Sequence, residues 1–133
     1  MKLHALGASA VALALAFTSP AKATAARDFV LIATTTGITI LKCPNYDAVE
    51  GGLVKYGDSI GVDVDRYGPP VAAALRVISD MPYNRGDLVP EVTQVVRNAI
   101  GELQDNHAKL GDRKFCRKYG DFLESIGVMR RKF

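Results

Sequence analysis

The sequence predicts a small all-α protein, a bundle of about four to five helices closed by one disulfide. Three observations lead there. Apolar residues recur at three- and four-residue steps along most of the chain, two cysteines follow an export signal, and only residues 28–42 carry a strand-like composition. That last segment leaves one alternative open, an α+β fold with an N-terminal β-hairpin over 28–42.

Residues 1–23 read as a cleaved secretory signal peptide: Lys2 is the positive start, Ala5 to Phe17 is a small-apolar stretch, and Ala21-Lys22-Ala23 has the small-x-small cleavage pattern. The stretch is shorter than the roughly 20 apolar residues of a membrane helix, so no transmembrane segment is expected. Residues 24–133 then form a single helical domain, periplasmic or secreted.

From Arg27 to Cys43, Phe29, Ile32, Ala33, Thr36 and Ile40 fall on one helical face, although the Val, Ile and Thr content favours strand and Thr34 to Gly37 would serve as a hairpin turn. A lone hairpin is marginal without a sheet to join, which decides for helix. Asp47 and Glu50 make a capping pair for a second helix, with Val49, Leu53, Tyr56 and Ile60 as its stripe. Gly51 and Gly52 interrupt that stripe and mark either weakness or a close backbone approach.

Gly61 to Gly68 reads as a loop, and Pro69-Pro70 starts a third helix with Val71, Ala74, Leu75 and Ile78 as its buried edge, stopping near Ser79 or Asp80. The fourth helix has Asp87 as its N-cap, Pro90 in its first turn, and Val89, Val92, Val96, Ala99 and Leu103 along its seam as far as Leu110. Gly111 and Asp112 separate it from a last helix in which Phe115, Tyr119, Phe122, Leu123 and Ile126 share a face and Gly127 is the stop.

In an exported chain, two cysteines most simply pair, so Cys43 and Cys116 are read as a structural disulfide. Closing a loop of roughly 70 residues stabilises the fold by about 4 kcal/mol in the chain-entropy model. The pair lacks the C-x-x-C spacing of redox or metal sites.

Loss of Lys2 and Lys22 with the signal leaves fifteen basic residues against fourteen acidic, so the +3 of the full chain falls to near neutrality. From Lys109 onward, however, eight basic residues face three acids. Arg113, Lys114, Arg117 and Lys118 make a basic helix face, the candidate surface for a partner, and Arg130 to Phe133 reads as a frayed basic tail.

Chemistry is tested by inventory. His107 is the only histidine after the signal, and it sits on a helix face at the border of the core. Ser59, Ser79 and Ser125 lie in no nucleophile-elbow motif, and no acid pair has a reason for a raised pKa, so no catalytic residue and no cofactor is assigned. Gly51-Gly52 fits neither a P-loop nor a dinucleotide fingerprint. Asp58, Asp63 and Asp65 are weak metal candidates that fail the EF-hand template, since Ala74 stands where the bidentate acid belongs. A capping or turn role suits them better.

The expectation is therefore a non-enzymatic exported protein that binds a protein partner, in an inhibitor, immunity or chaperone-like role, with nucleic acid not expected. The alternative is a metal-ion or small-molecule binder using the Asp58 to Asp65 segment or a cavity lined by Tyr56, Tyr67 and Tyr83. In size and composition the chain is similar to small two-cysteine helical periplasmic chaperones and immunity proteins, with no motif shared residue by residue.

Overall fold

The computed structural model describes residues 20–132. The fold is helical: α1 (Pro20–Lys42), α2 (Gly52–Ser59), α3 (Val64–Ile78) and the long α4 (Pro90–Ser125), with a 3-10 turn at Arg85–Asp87. Two three-residue strands, β1 (Tyr46–Ala48) and β2 (Met129–Arg131), complete it. Most of the expected signal peptide lies outside the described residues, and Pro20 to Ala23 form the first turn of α1.

The segment that read as helix or hairpin is helix. Its threonines resolve the ambiguity: the hydroxyls of Thr34, Thr35 and Thr36 donate to the carbonyls of Val30, Leu31 and Ile32 at 2.8, 2.7 and 2.7 Å. Each polar β-branched side chain thus satisfies itself one turn back and can be buried in a helix. Only the Thr39 hydroxyl, also fully buried, lacks a partner among the described residues. α1 is long and apolar enough to cross a membrane by length and composition, although no such helix was expected. Here its apolar residues serve the core, with Ala26, Phe29, Val30 and Ala33 buried against Val71 and Ala74 of α3 and Val92, Val96 and Ile100 of α4.

A second core lies at the other end, where Cys43, Tyr46, Leu103, Phe115, Leu123, Val128 and Met129 are buried together. Arg130 and Arg131 of the expected tail are in β2, whose Met129 belongs to this core. Residues 129–131 pair antiparallel with 46–48 in the register Tyr46–Arg131, Asp47–Arg130 and Ala48–Met129. Further backbone bonds extend the ladder, Val49 N–H to Val128 O at 2.9 Å and Lys132 N–H to Asn45 O at 2.8 Å.

Several local expectations are corrected. Asp47 and Glu50 cap nothing: Asp47 is in β1, and α2 begins after Gly51 without a side-chain cap. The close backbone approach expected at the glycine pair is real, since a Cβ on Gly52 would lie 2.7 Å from the Gly127 carbonyl oxygen. α3 starts not at Pro69 but at Val64, capped by Asp63, whose carboxylate accepts from the Arg66 N–H at 3.3 Å. That cap, with burial of Tyr67, Pro70 and Val71, offsets the two backbone donors that Pro69 and Pro70 remove inside the helix. The Gly61 to Gly68 loop shrinks accordingly.

Asp87 belongs to the 3-10 turn, and Val89 is the N-cap residue of α4, with Pro90 in its first position. The break at Gly111 is a kink inside α4, with φ 79° and ψ 169°, a backbone conformation that suits only glycine. In the last segment Phe115 and Leu123 are buried as expected, but Phe122 is 48% exposed. The buried side of this segment runs through Phe115, Gly120 and Leu123, which leaves Phe122 outside it.

Candidate functional site: a cationic pocket beside the disulfide

Cys43 and Cys116 are bonded, with Cα atoms 5.5 Å apart and 73 residues of chain between them. Cys43 is fully buried at the end of α1, while Cys116, one and a half turns after the Gly111 kink, is half-buried. The bond brings the residues beside each cysteine together. Lys42 comes with Cys43, and its carbonyl oxygen lies 3.6 Å from Cys116 Sγ. Arg113, three residues before Cys116, shares its side of the helix, and Arg117, next to Cys116, is four residues on from Arg113 and so beside it.

The result is an open pocket of about 490 Å³. Pro44, Asn45 and Tyr46 form one wall, and Asp112, Arg113, Cys116 and Arg117 the other, with Lys42 and Arg131 completing the rim. Among the described residues Lys42, Arg113 and Arg117 make no ion pair. Asp112, the carboxylate on the rim, is 2.6 Å from His107 Nε2. His107 borders the core as expected, with its ring edge-on to Phe115.

Arg131 is held differently. Its guanidinium donates to Asp121 and, at 3.1 Å, to the Tyr46 hydroxyl, while that hydroxyl donates to Asp121 at 2.5 Å. The bond from Tyr46, reinforced by Arg131, keeps the Asp121 carboxyl below the usual carboxylate range. Burial and the same bond to Asp121 push the Tyr46 phenol up. Gly120 makes the triad possible: a Cβ there would lie 2.6 Å from the Cε1 and Cε2 atoms of the Tyr46 ring.

The basic face predicted from the sequence therefore divides. Arg113 and Arg117 line the pocket, whereas Lys114 and Lys118 do not, and Lys118 sits over the Tyr119 ring at 5.4 Å. Lys42 and Arg131 were missed. For Lys42 a signal existed, since pairing Cys43 with Cys116 places its neighbour beside Arg113 and Arg117. For Arg131 none did, because its position depends on the strand pair.

The other candidate residues are not brought together. Asp63 caps α3, while Asp58 and Asp65 are exposed. Among the described residues no three His, Cys, Asp or Glu side chains form a group that could hold a metal ion. Tyr56 and Tyr67 pack in the core, and Tyr83 lines a separate depression with Met81 and Arg85, so the three share no cavity. A third depression, of about 310 Å³ and almost wholly apolar, lies between α1, α2 and α3, over Phe29, Ile40, Leu53, Val71 and Leu75.

A helix of apolar composition near the N-terminus and a formed disulfide both point towards export. Comparison with protein-family models, with curated proteins and with solved structures finds no match for this chain.

Proposed function

We propose that this is an exported, periplasmic or secreted protein that binds a protein partner and carries no chemistry of its own, with the cationic pocket as its docking face. The observation that supports this reading most is the convergence of Lys42, Arg113 and Arg117, without ion-pair partners among the described residues, around one concavity next to the disulfide. Cations that could spread into solvent are instead gathered where a carboxylate-bearing surface can meet several at once. Such an arrangement steers encounter and selects partners by charge.

The test is affinity capture of a partner from an exported-protein extract by the signal-free chain and two charge-reversed variants. Arg113→Glu/Arg117→Glu should lose the captured protein, and Lys114→Glu/Lys118→Glu, with the same net charge, should keep it. Equal loss in both, or retention in both, counts against the pocket as the docking face. A second reading, binding of a small apolar molecule, rests on the groove over Phe29, Leu53 and Leu75. A rise in melting temperature with an alkane or fatty-acid series, absent from a variant filled by Gly68→Leu, would favour it.

A further inference from the structure

The cationic pocket also specifies what its partner must present, an inference that rests on the protein-binding reading above. Lys42, Arg113, Arg117 and Arg131 bring four positive charges, and Asp112 on the rim and Asp121 behind Arg131 bring two negative ones. His107 answers Asp112 only when it is protonated. The site is left with a formal excess of about two positive charges, shared by Lys42, Arg113 and Arg117.

These two arginines are one turn apart on the same side of α4, and a guanidinium presents a planar fork that matches the two oxygens of a carboxylate. Lys42 adds a point charge from the opposite wall. Arg131, already committed to Asp121 and Tyr46, sets the far limit of the pocket and leaves fewer donors free. About 490 Å³ is room for a few side chains and not for a folded domain. Pro44 and Tyr46 supply an apolar wall along which a chain can lie.

We infer that the pocket receives a short acidic segment of the partner, two Asp or Glu carboxylates close together in sequence, gripped by Arg113 and Arg117 and flanked by Lys42. The ligand is a peptide bearing two or more carboxylates.

The experiment is calorimetric titration of the disulfide-bonded protein with the capped peptide Asp-Glu-Asp-Glu, with its Asn-Gln-Asn-Gln analogue, and with inorganic phosphate. The acidic peptide should bind, at least tenfold more weakly to Arg113→Gln/Arg117→Gln and within about threefold of wild type to Lys114→Gln/Lys118→Gln. All four positions are exposed, and circular dichroism checks that each variant remains folded. Equal binding of the neutral analogue, equal weakening by both double variants, or no binding of the acidic peptide overturns the inference. Phosphate that binds as tightly as the peptide also overturns it, because the site would then be one for anions in general. A partner captured from extract through Arg113 and Arg117, with no affinity for the acidic peptide, would leave the functional reading standing and remove this one. Peptide binding without any captured partner would do the reverse.

Discussion

Removing the disulfide by Cys43→Ala/Cys116→Ala is the perturbation whose size the fold specifies best. The bond closes a loop of 73 residues. In the chain-entropy model that constraint on the unfolded chain amounts to about 4 kcal/mol at 25 °C, and the small void left by the buried Cys43 sulfur adds up to about 1 kcal/mol. Against a typical domain stability of about 5–15 kcal/mol, the variant loses a large share. For a domain of about 110 residues the entropy of unfolding is about 0.23 kcal/mol per degree, so the melting temperature should fall by about 17–22 °C. Urea denaturation followed by circular dichroism measures the free-energy change, and a thermal scan the temperature. A loss below about 1 kcal/mol with an unchanged denaturant slope would refute the reasoning, since the staple would then not restrict the unfolded chain. The pocket should suffer with the fold, because the bond is what holds Lys42 against Arg113 and Arg117.

Three further outcomes are expected. Gly120→Ala forces the Tyr46 ring off the helix and breaks its bond to Asp121; overpacking of about 1–3 kcal/mol, less up to about 1 kcal/mol of helix propensity, leaves a net loss near 1–2 kcal/mol, and a variant as stable as wild type in urea would contradict it. Thr39→Val removes the buried hydroxyl without a partner while keeping the shape, so stability should rise by about 1 kcal/mol, and a fall would mean that the hydroxyl is satisfied in solution. Asp121 has its carboxyl pKa lowered in the folded state, so its contribution is complete above the usual carboxylate range near pH 4 and is lost as the pH drops through the depressed value. Urea unfolding between about pH 2 and 6 should show a shallower acid loss for Asp121→Asn than for wild type, and parallel curves would count against the triad.

What was legible in the sequence follows the range of each interaction. The seam Val92, Val96, Ala99 and Leu103 announces its helix because the period lies within one segment and packing rewards it directly. The disulfide was legible from the cysteine count read together with the signal-like start of the sequence. Caps were misplaced where two candidates competed: Asp87 looks like an N-cap, but the turn begun by Asn84, whose side chain accepts from the Gly86 N–H at 2.9 Å, draws it away. The prolines of α3 misled because Asp63 had already started the helix.

The strands were illegible for a different reason. Tyr46–Ala48 and Met129–Arg131 are too short to show a period, and each is a strand only because the other lies beside it. The same distinction runs through the pocket. Arg113 and Arg117 stand in one local basic run, whereas Arg131 reaches the site through Tyr46 and Asp121, partners from two other elements.

Site-specific photo-crosslinking tests, where the protein works, whether a partner docks on the pocket. A photoreactive side chain placed at Asn45, on the pocket wall, is compared with one at Asn98, on the exposed side of the first segment of α4. A discrete adduct is expected from position 45, suppressed by excess acidic peptide, and none from position 98. Adducts of equal yield at both positions, or an adduct at 98 alone, would contradict it.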